Sequence, residues 1–316
     1  MKKDFDTALN LKLAELERNP QKMLCERMRG KMKDCTAITS SCANNATCAA
    51  RIEKALAEIK DFSPEAADAL ALFLLPCSDK RHITQKQLIA RLEKLGMHDI
   101  PICAFCFAER ALTVGSGEDA NIKYSAVGVY LSAELRKPSE LPIVPGFFGA
   151  AVSAINPAVT YTDGGRHERL ESFGDVSGVL QARNYLRICR NNPAVYFSAW
   201  TKNPDFWYQA ALAEGGKPEN LKLILSSYRM NTPDYETAAR YNALIPGFFD
   251  SLFTVYTPAG AARAGIVLNC CGSERDKIIP RECKTCMNCY LKNGNPETVQ
   301  FSDVVPGLQI VNEVLR

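Results

Sequence analysis

The feature that most restricts the fold is a regular alternation of strands and helices between residues 169 and 268. Strand patterns cover residues 169–173, 194–200, 221–226, 251–256 and 265–268, and helical patterns cover 176–190, 205–213 and 235–244. Strands that alternate with helices form right-handed βαβ units and a parallel sheet. With an earlier strand at residues 35–39, the pattern gives six strands. The expected fold is therefore α/β, a partial (β/α)6 barrel.

Helical patterns dominate the N-terminal part. A helix is predicted at residues 7–19, a second at 49–60, and a third after the N-cap Ser63; Thr84 and Gln87 form a capping box for a fourth. The predicted organisation has four parts: an N-terminal helix with the first strand and loop (1–48), a helical insertion (49–100), the α/β partial barrel (101–268) and a Cys-rich metal-binding C-terminal segment (269–316).

Five of the thirteen cysteines lie close together near the C-terminus: Cys270, Cys271, Cys283, Cys286 and Cys289. The last three have the spacing C-x2-C-x2-C, so that one turn can present three sulfurs to one centre. This spacing resembles that of ferredoxins, which hold a [4Fe–4S] cluster, and either Cys270 or Cys271 could supply the fourth thiolate. Zinc sites use the same residues, and buried or reactive thiols without metal are the third interpretation.

A second thiol pair, Cys103-x2-Cys106, lies in the middle of the chain. Cys106 begins a predicted helix that extends through Leu112. The dipole at a helix N-terminus favours thiolates, which suits metal binding. A single C-x2-C pair is moderate evidence for a ligand pair, and the C-terminal cysteines strengthen it.

Composition excludes several classes of protein. The net charge of +3 is small, and the N-terminus lacks the apolar segment of a signal peptide. No apolar run reaches the ~18 residues of a membrane span. We therefore expect a cytoplasmic protein with reduced thiols and no membrane contact. The slight positive excess of the helical insertion leaves nucleic-acid binding open as an alternative, although a solvated basic face explains it more simply.

Polar residues follow the predicted strands at the points where the strands end. In parallel α/β folds these ends meet at one edge, where the chemistry is usually found. Ordinary capping of the loops would explain one such set, whereas several sets that converge with thiols predict a site. The sets are Glu171, Ser172, Gly174 and Asp175; Thr201, Lys202 and Asn203; Ser226, Ser227, Tyr228, Arg229 and Asn231; Tyr256 and Thr257; and Asn269, Cys270 and Cys271.

Several of these segments resemble the phage gene-product-88 family, which is found in phages and mobile elements and has no established activity. The resemblance is carried by residues 169–175 (RLESFGD), 199–204 (AWTKNP), 226–231 (SSYRMN), 252–256 (LFTVY) and the closing Asn-Cys…Cys-x2-Cys-x2-Cys-Tyr. It also takes in Cys48 and the Cys103–Cys106 run. The resemblance thus covers most of the chain.

The layout is more distantly similar to radical S-adenosylmethionine enzymes, although their usual C-x3-C-x2-C spacing is absent because position 99 is Asp. This similarity implies that Cys48, Cys103 and Cys106 hold a [4Fe–4S] cluster and that the C-terminal cysteines hold an auxiliary one. It implies a turn that binds S-adenosylmethionine, with an electron donor as partner. That turn would comprise Glu171, Ser172, Gly174 and Asp175. Candidate groups toward an unknown small-molecule or nucleotide substrate are Lys202, Tyr228, Arg229 and Tyr256.

Overall fold

The computed structural model of the protein describes residues 7, 10–12, 14–15, 18, 36–37, 46–76, 78–106, 166–171, 174–270, 286–294 and 299–314. The strands are β1 (Thr36–Ala37), β2 (Arg166–Leu170), β3 (Val195–Thr201), β4 (Leu221–Ser226), β5 (Ser251–Tyr256), β6 (Gln300–Phe301) and β7 (Gln309–Val314). The α-helices are α1 (Ala46–Phe62), α2 (Pro64–Leu74), α3 (Gln85–Lys94), α4 (Val179–Asn191), α5 (Pro204–Ala213), α6 (Tyr235–Leu244) and α7 (Pro258–Ala264). No helix within the described ranges is long and apolar enough to cross a membrane.

One sheet organises the described strands, in the order β1-β2-β3-β4-β5-β7-β6. All neighbours are parallel except β6 and β7, so the predicted α/β class with a mostly parallel sheet is confirmed. Because β2 to β5 follow one another in space as in sequence, the three crossovers between them move in the same direction, and their helices α4, α5 and α6 lie on the same face. The described strands do not close into a barrel, since β1 and β6 are the sheet edges. The finer assignment as a partial barrel stays a prediction.

The helix-bearing face holds the main apolar core. Leu170, Phe197, Leu223 and Leu252 point from successive strands into one buried cluster with side chains of α4, α5 and α6. Their alternate neighbours on the strands point to the opposite face, as the two-residue period of a strand requires. We call it the helix-free face because α4, α5 and α6 all pack on the other one. Of these two faces, the helix-free one carries most of the polar residues discussed below.

The predicted strand at residues 265–268 is wrong. Helix α7 ends at Gly265, whose φ of +61° is the left-handed conformation that terminates helices, and residues 266–269 are irregular. The sixth parallel strand is β7, which lies beyond the C-terminal cysteines. The Asn269 side chain partly replaces the missing strand: its Oδ1 accepts from Asn312 N at 2.7 Å and its Nδ2 donates to Ile310 O at 2.8 Å. A short apolar run thus resembled a strand although it forms none; besides the Asn269 side chain, the backbone N–H groups of Asn269 and Cys270 donate to Asn312 O of β7 at 3.2 and 3.0 Å.

The helices of the N-terminal half agree with the sequence patterns where they are described. The described residues between 7 and 18 are helical, and the caps at Ser63 and at Thr84 with Gln87 are present. Helices α1 to α3 share an apolar core that also contains Phe105 and Met230. Because Met230 lies in the loop after β4, this helical block packs against the sheet edge where the strands end. The predicted helix from Cys106 to Leu112 lies outside the described residues apart from Cys106, which follows a 3-10 turn at Ile102–Phe105.

Candidate functional site

The carboxyl-terminal edge of β2, β3 and β4, which we call the mouth, is held together by Asp175. Its Oδ1 accepts from Val176 N and from Thr201 Oγ1, both at 2.8 Å. Its Oδ2 accepts from Lys202 N at 2.7 Å and from Arg51 Nη2 at 3.3 Å. This buried carboxylate therefore joins the ends of two strands to helix α1. Protein donors already engage both oxygens, which favours a structural role over the predicted contact with a methionyl amine.

Glu171 holds the turn after β2. Its backbone is left-handed, with φ of +54°, a conformation that costs free energy in a residue other than glycine. The buried carboxylate accepts from Gln181 Nε2 at 2.7 Å and from Tyr185 Oη at 2.5 Å. Gln181 and Tyr185 were not predicted from the sequence, although their i, i+4 spacing on α4 is visible there. Ser172 lies outside the described residues, and Gly174 follows with φ of +117°.

Two separate segments bring three thiols to this mouth. Cys48 is in the first turn of α1, and Arg51, one turn later, anchors that helix to Asp175. Cys103 and Cys106 belong to the segment of the 3-10 turn. That segment is bonded to the loop after β4 through Ile102 N to Tyr228 O at 2.9 Å and Met230 N to Ile100 O at 2.8 Å. The backbone thus fixes both segments to the strand ends.

Burial and neighbouring charges shift the pKa values of the thiols at the mouth. Burial raises the pKa of Cys48 to about 12; Asp175 and Cys106 raise it further, whereas Arg51 lowers it. Burial likewise raises the pKa of Cys103, against the positive charges of Lys202 and Arg51. Without a bound cation, Cys48 and Cys103 are therefore protonated at neutral pH. In the described part of the chain no three His, Cys, Asp or Glu side chains are arranged as a metal site, so the thiols are neighbours without a preformed ligand geometry.

The four predicted substrate-side residues occupy different surroundings. Lys202 is at the mouth, where its Nζ donates to Ser226 Oγ at 2.8 Å and its charge acts on Cys103. Tyr256 is buried beside Tyr235, and burial raises its pKa to about 12. Side chains along β5 point alternately to the two faces of the sheet. Tyr256 is four residues beyond Leu252, which belongs to the main core, so Tyr256 points to the helix-bearing face.

Arg229 and Tyr228 connect the loop after β4 to the helical block. Arg229 Nη2 pairs with Glu58 Oε2 at 2.9 Å, and its Nη1 is 3.5 Å from Asp99 Oδ2. Tyr228 Oη donates to the other oxygen of Glu58 at 3.4 Å, and burial raises the pKa of Tyr228 to about 12. These contacts position the helices over the mouth, so both residues have a structural task there.

Cys286 and Cys289 lie elsewhere, on the helix-free face. The segment 286–294, which carries Cys286 and Cys289, packs there through Tyr290, whose ring centre is 5.7 Å from that of His167 and 6.4 Å from that of Trp200. Cys270 is beside β7, where its N donates to Asn312 O at 3.0 Å. Cys271 and Cys283 lie outside the described residues, so a shared centre for these five cysteines stays a prediction.

Lys222 fixes this C-terminal segment and was missed by the sequence analysis. Its side chain is buried, and Nζ donates to Asn288 O at 2.5 Å, to Leu291 O at 2.6 Å and to Gln309 Oε1. The sequence could have indicated this role, because Lys222 lies within the apolar strand Leu-Lys-Leu-Ile-Leu and a buried ammonium group needs acceptors. Burial lowers the pKa of Lys222 to about 8.

Comparison with known proteins gives one match. Residues 10–257 match the family described as Gene product 88, a range that includes Cys48, Cys103, Cys106 and every residue of the mouth described above. It ends before Asn269 and the C-terminal cysteines. No curated protein and no solved structure matches the chain. The chain belongs to the Gene product 88 family.

Proposed function

We propose that the protein is an iron–sulfur protein whose catalytic cluster is bound by Cys48, Cys103 and Cys106 at the mouth. The observation that carries this proposal is the convergence of three thiols from two distant segments beside Lys202 and Asp175. Cysteine thiolates are the usual ligands of such clusters, and three of them leave one iron without a protein ligand. The sequential strand order also agrees with a partial barrel that opens at this mouth.

The residues around the thiols suit a negatively charged centre. Thiolates and sulfide carry excess negative charge, and Arg51 and Lys202 supply positive charge beside Cys48 and Cys103. The acidic neighbours Asp175 and Glu171 are each engaged by hydrogen-bond donors of the protein. When bound, the cluster would supply single electrons, and with S-adenosylmethionine it would initiate radical chemistry as in radical-SAM-like enzymes. The chain's own residues would bind and orient the substrate and exclude water.

Zinc is the second candidate, for the C-terminal cysteines. The segment of Cys286 and Cys289 is fixed by Lys222 on the helix-free face, and a rigid, closed position is what a structural zinc site requires. A four-cysteine site completed by Cys283 with Cys270 or Cys271 would tie the C-terminal segment to the sheet. Nucleic-acid binding by the helical block, the remaining alternative, would be recognised by a steep salt dependence.

Metal analysis tests the proposal. Protein expressed and purified without oxygen is expected to be brown and to contain iron and acid-labile sulfide. Cys103→Ala is expected to remove the mouth cluster and spare the C-terminal metal, whereas Cys286→Ala does the reverse. The matched control is Cys189→Ala, because Cys189 is fully buried in the main core. Colourless protein with stoichiometric zinc would refute the iron–sulfur proposal.

The cofactor is tested separately. S-adenosylmethionine is expected to bind the iron-loaded protein, as measured by calorimetry, and to yield 5′-deoxyadenosine after reduction with dithionite. Cys103→Ala should abolish both, and Cys189→Ala should retain both. Iron-loaded protein that neither binds nor cleaves S-adenosylmethionine would leave the cluster but exclude the radical-SAM-like activity.

A further inference from the structure

The helix-free face carries a polar row directly below the mouth. Arg169 of β2, Ser198 of β3 and Lys222 of β4 occupy the same register position on neighbouring strands. The Arg169 guanidinium carbon lies 3.9 Å from the ring centre of Trp200, which is two residues beyond Ser198 on β3. Two cationic side chains and a hydroxyl thus line one level of this face.

Two donors of this row have no hydrogen-bond partner among the residues that the structure describes. Ser198 is fully buried, and its Oγ has no partner in the described part of the protein. The buried Nε of Arg169 also lacks one, and the described residues provide no ion pair for its guanidinium. Buried polar groups are paired in the great majority of native proteins. Unpaired donors on two adjacent strands therefore point to a missing acceptor.

The positive charges nearby indicate that the missing acceptor is an anion. Lys202, which directly follows β3, adds a third positive charge at the mouth. Two acidic residues at the mouth face other partners: Glu171 accepts from Gln181 and Tyr185, and Asp175 accepts from Thr201, Lys202 and Arg51. Lys222 is already held by three acceptors. The open donors are thus those of Arg169 and Ser198.

We propose that Arg169 and Ser198, with Trp200 as the surface on which the guanidinium stacks, bind an oxyanion of the substrate, a carboxylate or a phosphate. Both anions match the planar fork of arginine. Arg169 and Trp200 keep part of their surface exposed, which gives an anion access to the guanidinium, whereas Arg169 Nε and Ser198 Oγ are buried beneath that surface. The description of this ligand as a substrate rests on the proposed function, whereas the anion site stands on its own contacts.

The two tryptophans of the chain make the site measurable. Trp207 is buried in the main core, so Trp207→Phe leaves Trp200 as a single reporter beneath Arg169. In metal-free protein at low ionic strength, inorganic phosphate and malonate are titrated against sodium chloride of equal ionic strength. We expect a saturable change in Trp200 fluorescence with one or both anions, which identifies phosphate or carboxylate as the preferred group.

Variants in the Trp207→Phe background decide the assignment. Arg169→Gln should weaken anion binding by about 10-fold or more, because it removes charge-assisted hydrogen bonds, and Ser198→Ala should weaken it by a smaller factor. The matched control is Arg240→Gln, since Arg240 stacks on Tyr241 outside this face with its guanidinium carbon 4.8 Å from the ring centre. Unchanged circular dichroism shows that a variant is folded.

Two results would overturn the proposal. One is that neither anion produces a saturable fluorescence change. The other is that folded Arg169→Gln and Ser198→Ala bind the anion as tightly as the Trp207→Phe parent protein. Because the titration uses metal-free protein, it is independent of the iron analysis. If the protein binds the anion but never takes up iron, the proposed cluster is refuted and the anion site stands. If the protein takes up iron but does not bind the anion, the anion site is refuted and the cluster stands.

Discussion

Replacement of Asp175 by Asn tests whether this carboxylate is the structural centre of the mouth. The amide keeps one oxygen, which can still accept from Val176 N and Thr201 Oγ1. Its NH2 group replaces the oxygen that accepts from Lys202 N and Arg51, so this NH2 donor faces two other donors and accepts from neither. Two hydrogen bonds are lost, and the partly buried Lys202 N–H and the Arg51 guanidinium lose their acceptor.

The expected loss follows from these contacts. An unpaired buried N–H costs about 1–3 kcal/mol, and a broken buried charge pair costs about 3–5 kcal/mol, although the two are not additive. Burial raises the pKa of Asp175 against the opposing effect of Arg51, so the native carboxylate itself carries a desolvation cost that Asn does not. We therefore expect the lower part of the range, a decrease of about 3 kcal/mol in the free energy of unfolding. That is a large fraction of the roughly 5–15 kcal/mol of a typical domain.

Urea unfolding of the metal-free protein, followed by tryptophan fluorescence, measures this decrease. The control is Glu219→Gln, which breaks an exposed ion pair with Lys292 and should cost no more than about 1 kcal/mol. Detachment of α1 should also make Cys48 react faster with a thiol reagent. If Asp175→Asn were as stable as Glu219→Gln, the reasoning that assigns Asp175 this structural role would be refuted.

Three further predictions concern other parts of the fold. Lys222→Met should destabilise the protein by about 3–5 kcal/mol and speed up amide exchange in residues 286–294, because three acceptors lose their ammonium group; unchanged exchange there would contradict its role. Arg229→Ala should cost about 1–2 kcal/mol and increase proteolysis within α1 to α3, since the contact with Glu58 is half-buried; an unaltered cleavage pattern would argue against it. The pKa of Tyr256 is raised to about 12 from the ordinary value of about 10, so its contribution to stability is complete below pH ~10 and is lost as the pH rises toward 12. Tyr256→Phe should therefore flatten the fall in stability over that window, which equilibrium unfolding at several pH values measures.

Local patterns predicted much of the secondary structure. Helix caps at Ser63 and Thr84 were readable because they depend on neighbours within three residues. The strands β3, β4 and β5 were readable because their residues are apolar and bounded by polar loops. The same local rule failed at residues 265–268, where an apolar run lacks a neighbouring strand, and β7 went unrecognised beyond the cysteines.

The sequence predicted where the candidate site lies, but it predicted few of the side-chain contacts within the site. Parallel strands place their carboxyl ends at one edge, and this topology alone directed attention to Asp175 and Lys202. No local rule relates Cys48 to Cys103 or assigns the Arg229 guanidinium to Glu58, since these partners are separated by 55 residues or more. The tasks of Arg229 and Tyr228 as links to the helical block were therefore invisible in the sequence.

The sequence by itself determined the α/β class, the mostly parallel sheet and the edge at which polar residues gather, because hydrophobic periodicity and chain direction are local properties. The tertiary structure decided which side chains meet: the thiols of Cys48, Cys103 and Cys106 at the mouth, which only a distant resemblance had grouped, and the donors of Arg169 and Ser198 beneath it, unpaired within the described residues. Such meetings depend on strand register and on the packing of distant segments. A shift of one residue in register turns a side chain to the opposite face of the sheet.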